Sequence, residues 1–183
     1  WHSMGGIVAT LFTSAFPEKV NKLISIESAG PLTKEESTTV EQIRTSVESR
    51  ARIKDKPMRV HQSLDSAISA RANAGDISVE IAEILVKRNI HDSDNGYLWR
   101  TDQRLRTLSS LRMTEVQAQE IMKNISVETL LIEGEKGYKE MKALINQMFE
   151  WLPNGKKVQL PGGHHLHMEY PELVVEHITT FFK

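Results

Sequence analysis

The alternation of apolar helical segments with short buried strands constrains the fold of this 183-residue sequence more than any other feature. Residues 5–16 are small and apolar and end at Pro17, which predicts a buried helix that starts on glycine. The other elements predicted in this way are strands at 22–28, 127–133 and 157–160 and helices at 114–124, 141–152 and 171–183. Strands separated by helices favour a parallel sheet. The sequence therefore predicts an α/β fold with a parallel sheet.

A charged segment, residues 33–90, interrupts this alternation. Its apolar residues recur at helical spacing, and breaks fall at Pro57 and before Asp76, so the segment is predicted to be a helical insertion. Asp76 or Ser78 is the predicted cap of its last helix, and residues 92–96 form a predicted turn or loop.

The sheet predicted in this way is too small to be complete. Only three strands are recognised, whereas a parallel sheet has both faces covered and usually contains more strands. The strand that should lead into the first helix is missing, and the sequence opens on Trp1 within a motif. We therefore expect this sequence to be the C-terminal part of a fold, completed by a missing N-terminal segment or by a partner chain.

Composition argues against several classes of function. The 23 Lys and Arg residues against 24 Asp and Glu leave a net charge of −1, so neither nucleic acid nor a membrane surface is a predicted partner. The absence of cysteine excludes disulfides, thiol nucleophiles and cysteine zinc sites. No signal peptide or membrane-spanning run is visible, so the expected location is cytoplasmic.

The first motif that carries chemistry is HSMGG at residues 2–6, directly before the apolar helix. It resembles the nucleophile elbow of α/β-hydrolases, in which a sharp strand-to-helix turn holds the serine in a strained conformation between small residues. Ser3 takes the serine position, and Gly5 and Gly6 satisfy the demand for small residues after it. Trp1 departs from the pattern, which has glycine there, so either its ring turns outward or the elbow differs from the usual one. The alternative is that Ser3 only caps a helix.

The second motif is LPGGHHLHMEYP at residues 160–171. It resembles the last strand and catalytic-histidine loop of the same superfamily, where a Gly-His pair precedes a proline that opens the final helix. His164 takes the histidine position, with His165 and His167 as rivals. Two alternatives are a metal site and a histidine-rich surface loop. The spacing of the three histidines fits no helical pair of ligands and no carboxylate is obviously poised beside them, so no metal is predicted.

Together the two motifs resemble the serine hydrolase-like proteins of the α/β-hydrolase superfamily over essentially the whole chain, including the stretch WRTDQRL at residues 99–105. The resemblance implies three regions. Residues 1–32 would hold the elbow, its helix and the next strand, residues 33–110 a helical cap, and residues 111–183 the C-terminal part of the hydrolase core with its histidine.

The cap is expected to cover the crevice and shape its pocket, as in lidded members of the superfamily. Met58, Leu98 and Trp99 are candidates to line that pocket, with an ordinary core role as the alternative. Asp102 and Arg104 either tie the cap to the main domain or form a solvated charge pair.

The usual position of the acidic member of a catalytic triad does not hold an acid in this sequence. In most α/β-hydrolases an aspartate follows the penultimate strand, but here Gly137 stands at that position, with Glu135 two residues early and Glu133 four residues early. Some members of the superfamily place the acid after the preceding strand, where this sequence offers Glu27. We predict Glu27 as the acid, with Glu135 and the absence of any acid as alternatives.

The resemblance implies a serine hydrolase that acts on an ester-like small molecule through an acyl-enzyme on Ser3, with His164 moving the proton. The backbone N–H of Met4 would supply one oxyanion-hole donor, and the other would lie outside the sequence. No cofactor is implied. The competing readings are a non-catalytic hydrolase-fold protein that binds a ligand or partner, for which Trp1 and Gly137 argue, and an inert piece whose exposed strand edge makes it associate.

Overall fold

The structure is a computed structural model that describes residues 1–54, 56–75 and 77–183. The chain divides into two compact units. The first unit comprises Trp1–Glu36 together with Arg112–Lys183, and the second comprises Ser37–Leu111. The role of residues 33–110 as a cap remains a prediction.

Helices and strands of the first unit follow the predicted order along the chain, with one short extra helix before the last. The α-helices of the described residues are α1 (Met4–Ala15), α2 (Thr39–Lys54), α3 (Leu64–Gly75), α4 (Val79–Asn89), α5 (Glu115–Lys123), α6 (Lys139–Glu150), α7 (Leu166–Glu169) and α8 (Pro171–Phe182). The strands are β1 (Lys22–Ile26), β2 (Ile90–Ser93), β3 (Gly96–Trp99), β4 (Glu128–Gly134) and β5 (Gly155–Leu160). Short 3-10 turns lie at Pro17–Lys19, Glu36–Thr38 and Gln103–Arg106.

Strands β1, β4 and β5 form a parallel sheet in that order, which confirms the predicted fold class. Ile26 of β1 pairs with Ile132 of β4, and Gly134 of β4 pairs with Leu160 of β5. Because the three strands run in the same direction, the segments that follow them meet at one edge of the sheet. This edge is where the candidate site forms.

The sheet buries apolar side chains on both faces, because side chains alternate along a strand. Leu131 packs on one face in a cluster with Met122 of α5 and Met148 of α6. Ile132 packs on the other face in a cluster with Phe181 of α8. Helices therefore cover both faces of the sheet.

The second unit is helical with one antiparallel hairpin. Helices α3 and α4 pack through small and branched residues such as Ala67 and Val86. The Ser78 side chain caps α4 by accepting from the Ile81 N–H at 3.3 Å, while Asp76, the other predicted cap, lies outside the described residues. The hairpin of β2 and β3 was not predicted, because only its turn at residues 92–96 gave a signal.

The count of strands is the main correction to the sequence analysis. The described residues contain five strands, two of which form the hairpin of the second unit. None of the helices described is both long and apolar enough to cross a bilayer.

Candidate active site

Ser3 lies at a strained turn directly before α1. Its backbone has φ 51° and ψ −128°, a conformation that L-residues rarely adopt and that costs about 1–3 kcal/mol. The Ser3 N–H donates to the Ile26 carbonyl at 3.0 Å, which fixes the turn against the end of β1. The side chain makes no capping hydrogen bond to α1. Instead, Ser3 Oγ lies 3.0 Å from His164 Nε2, so the reading of Ser3 as an ordinary helix cap finds no support.

Trp1, the residue that departs from the elbow pattern, turns its side chain outward. It is 73% exposed, while its backbone carbonyl accepts from the Ile26 N–H at 2.8 Å. A β-carbon placed at Gly5 would meet the Trp1 ring at 3.7 Å, which is an ordinary contact. A β-carbon at Gly6 would collide with Ser25 Oγ and lie 2.9 Å from Ser28 Cβ. Of the two glycines that met the demand for small residues, Gly6 is therefore the one at which a close approach excludes a side chain.

His164 lies in the loop between β5 and α7, and backbone contacts hold that loop. The Gly163 N–H donates to Glu169 Oε2 at 2.8 Å, and the Gly162 carbonyl accepts from the Lys136 N–H at 2.8 Å. Gly162 has φ 109°, which favours glycine at that turn. The loop thus carries the His164 ring to the sheet edge, where only 11% of its side chain is exposed.

Glu27 is the carboxylate that meets His164. It directly follows β1, has φ 52° and is fully buried. Its Oε1 accepts from the Gly134 N–H at 2.6 Å, and its Oε2 lies 3.2 Å from His164 Nδ1. Glu133 is buried within β4, and Glu135 is exposed. The structure therefore brings Ser3, His164 and Glu27 into one hydrogen-bonded series; their catalytic roles remain predictions.

Three further histidines surround this series. The ring centroid of His2 lies 4.7 Å from that of His164, 5.2 Å from that of His165 and 4.3 Å from that of His167. His2 Nε2 is 2.7 Å from the His164 carbonyl oxygen. Burial is the main cause that lowers the pKa of His2 to about 4, and burial followed by the charge of His164 lowers the pKa of His167. Sequence analysis missed His2, although its place next to Ser3 was a signal.

Met4, the predicted oxyanion-hole residue, is the first residue of α1. Backbone N–H groups in the first turn of a helix lack acceptors within that helix and carry partial positive charge. The Met4 side chain is 61% exposed, so only its backbone is positioned by the fold. Its role in stabilising an oxyanion remains a prediction.

The residues predicted to line a pocket lie in the second unit. Met58 and Trp99 border a cavity of about 490 Å³ within that unit, whereas Leu98 is not among its lining residues.

Asp102 and Arg104 form an exposed ion pair with each other, which matches the solvated charge pair left open in the sequence analysis. Hydrogen bonds from the Arg104 side chain and from the Arg104 backbone N–H lower the pKa of the Asp102 carboxyl to about 2.

The sheet, the strained serine turn and the histidine loop are arranged as in an α/β-hydrolase, and comparison with known proteins gives the same class. The chain belongs to the α/β-hydrolase superfamily. It is similar to a probable serine hydrolase of Drosophila melanogaster, at 31% identity over 200 residues that take in 100% of this chain and 58% of the relative. Other curated relatives are called serine hydrolase-like proteins, in agreement with the predicted resemblance.

Two solved structures share the fold over nearly the whole chain. A hypothetical protein from Pseudomonas aeruginosa PAO1 matches with a TM-score of 0.88 and 32% identity, over 99% of this chain and 65% of that one. The thioesterase domain from the curacin biosynthetic pathway matches with a TM-score of 0.79 and 29% identity, over 98% of this chain and 64% of that one. No protein-family model matches the sequence. The chain spans about three fifths of the length of the curated relatives it matches.

Proposed function

We propose that this protein is a serine hydrolase that cleaves an ester-like small molecule through an acyl-enzyme on Ser3. The observation that carries the proposal is the 3.0 Å contact of Ser3 Oγ with His164 Nε2, on a serine that has a strained backbone and makes no capping hydrogen bond to its helix. The buried Glu27 carboxylate on the other side of the ring adds the orienting partner that such a pair needs.

The proposed reaction uses this series in two half-reactions. Ser3 Oγ attacks the acyl carbon while His164 Nε2 takes the hydroxyl proton, and the imidazolium formed is stabilised by Glu27. The carbonyl oxygen becomes an oxyanion that accepts from the Met4 N–H. His164 then gives its proton to the leaving alcohol or thiol as the acyl–oxygen or acyl–sulfur bond breaks. Water attacks the acyl-enzyme, His164 takes a proton from it, and the acid departs as the serine is protonated again.

The substrate class follows from the nucleophile and from the relatives. A serine forms an ester intermediate, which suits oxygen esters and thioesters, whereas dehalogenase and epoxide hydrolase chemistry uses aspartate. The similar curacin domain is a thioesterase, so a thioester is included in the proposal beside the oxygen ester. Turnover of a p-nitrophenyl acyl ester and of the matching acyl thioester, measured in parallel, would rank the two.

The test is covalent labelling of the intact protein by a fluorophosphonate probe, followed by intact mass and peptide mapping. We expect one adduct, on Ser3, that is lost in Ser3→Ala and in His164→Ala. Ser14→Ala serves as the matched control, because Ser14 is also a serine of the α1 segment and should leave labelling unchanged. A folded protein that takes up no probe would contradict the proposal and favour a binding protein with a hydrolase fold.

We also propose that a partner chain, a second copy of this 183-residue chain, packs against α1. The supporting observation is a row of exposed apolar side chains one turn apart along this helix: Met4 is 61% exposed, Val8 60% and Phe12 45%. The 183-residue chain alone should therefore self-associate in sedimentation velocity, and Val8→Lys with Phe12→Lys should reduce that association. A monodisperse wild-type monomer would contradict this proposal.

A further inference from the structure

The strongest unassigned feature of the molecule is a cluster of imidazoles beside Ser3 and His164. One ligand nitrogen from each of His2, His165 and His167 lies within 4.8 Å of the others. We propose that these three histidines form a binding site for a divalent transition-metal ion, with Zn²⁺ as the ion that fits best.

The three side chains come from two segments that the fold holds in place. His2 pairs with Ile26 at the end of β1, and the following residue, Ser3, donates its N–H to the same strand. His165 precedes α7 and His167 lies within it, and the Met168 N–H donates back to the His165 carbonyl at 2.8 Å. The sequence analysis considered only the three histidines of the loop; the structure brings in His2, which is far away in sequence, and leaves His164 to Ser3.

The hydrogen bonds at the cluster suit metal ligands. A carbonyl oxygen can only accept, so the ring nitrogen of His2 that faces the His164 carbonyl carries the proton, and the other nitrogen keeps its lone pair. A histidine that donates one N–H to a backbone carbonyl while its other nitrogen binds metal is the usual arrangement of such ligands. The Nδ1 atom of His167 is buried and has no hydrogen-bond partner among the residues described.

The donor set decides which ion fits. Three neutral imidazoles with a fourth position open to water match Zn²⁺, and they also suit Cu²⁺, Ni²⁺ and Co²⁺. Ca²⁺ and Mg²⁺ require oxygen ligands, which these side chains do not supply. Zn–N distances of about 2.0–2.1 Å place two ligand nitrogens about 3.3 Å apart in a tetrahedral site, so the rings close by up to about 1.5 Å on binding.

Metal at this position would act on the neighbouring serine–histidine pair, and this consequence rests on the proposed function. The ring centroids of His2 and His165 lie 4.7 and 5.3 Å from that of His164. His165 directly follows His164 in the chain and the His2 ring contacts the His164 ring, so drawing His2 and His165 onto one ion would shift the His164 ring out of its 3.0 Å contact with Ser3 Oγ. The site would therefore be inhibitory, and we expect a loss of turnover of about tenfold or more when it is filled.

The test measures binding and activity separately. Protein purified without a histidine tag and stripped with a chelator is titrated with Zn²⁺ against a chromophoric chelator, and with Co²⁺ to record the absorption bands of a tetrahedral site. We expect one Zn²⁺ per chain. His167→Ala and the closer-sized His167→Asn should weaken binding by at least about tenfold. His177→Ala, in α8 and outside the cluster, is the matched control and should leave affinity unchanged.

The outcomes distinguish the metal site from the hydrolase proposal. Zinc binding that both His167 variants weaken, in protein whose circular dichroism is unchanged, supports the site whether or not Ser3 reacts with a fluorophosphonate. If the folded wild-type protein binds no Zn²⁺, or if both His167 variants bind it as tightly as the wild type, the site is overturned. Zinc binding without loss of turnover in an active enzyme would overturn the inhibitory role alone.

Discussion

The carboxylate of Glu27 occupies the space that a side chain at position 137 would need. A β-carbon built on Gly137 would lie 2.5 Å from Glu27 Oε2 and 2.7 Å from Glu27 Oε1. Position 137, which the predicted resemblance aligns with an aspartate of most α/β-hydrolases, is glycine here, and the carboxylate of Glu27 fills the space beside it. Trp1 and Gly137 were the two residues that argued for a non-catalytic protein. The structure accommodates both, because the Trp1 side chain turns outward and Gly137 leaves room for Glu27.

Replacing Glu27 by glutamine should abolish most turnover while the fold survives. Glutamine has the same shape and still accepts from the Gly134 N–H, but it cannot stabilise an imidazolium on His164. Loss of the orienting acid in a triad costs on the order of 10⁴ in turnover. The measurement is turnover with a p-nitrophenyl ester, with Glu135→Gln as the control because Glu135 is exposed. Activity of Glu27→Gln within about tenfold of the parent would refute the assignment.

A side chain at position 137 would collide with the Glu27 carboxylate, and this leads to a second prediction. Gly137→Ala should displace the Glu27 carboxylate and lower turnover by roughly tenfold or more, because the orienting hydrogen bond to His164 is lost. Gly137→Asp combined with Glu27→Ala should regain part of the activity that Glu27→Ala alone loses, since the acid then comes from the other strand. Turnover of the three variants is compared at equal folded fraction. A double variant no better than Glu27→Ala would show that position 137 cannot supply the acid.

The strain at Ser3 should be visible as a difference in stability between two inactive variants. Glycine adopts a positive φ without a steric penalty, whereas alanine carries the same penalty as serine. The free energy of unfolding of Ser3→Gly should therefore exceed that of Ser3→Ala by about 1 kcal/mol. Urea denaturation followed by tryptophan fluorescence measures both. Equal midpoints would mean that the turn stores no strain.

The two glycines after Ser3 should respond differently to a methyl group. Gly6→Ala drives a β-carbon into Ser25 and Ser28 and should lower the free energy of unfolding by about 1–3 kcal/mol, as overpacking does. Gly5→Ala adds an ordinary contact within a helix and should be neutral or stabilising by up to about 1 kcal/mol. Thermal unfolding of the pair checks this prediction, and a Gly5→Ala variant as unstable as Gly6→Ala would contradict it.

Patterns local in sequence accounted for much of the fold. The apolar run after Ser3, the run that became β4 and the proline that opens α8 each marked an element within a few residues of its bounds. The hairpin of β2 and β3 was missed, because its strands are short and half-buried and have no clear alternation. Hydrophobic periodicity reveals which face of an element is buried. The half-buried strands of this hairpin do not show such a pattern.

The sequence by itself determined the class of the fold, the serine and the histidine, because a strained turn before a helix and a Gly-His loop before a helix leave local residue patterns. Only the tertiary structure shows which carboxylate reaches His164, because Glu27 meets it across neighbouring strands whereas Glu135 is exposed. It also decided that Gly6 rather than Gly5 must lack a side chain, and it brought His2 to His165 and His167. Each of these relationships joins residues far apart in the chain, and packing alone creates such proximity.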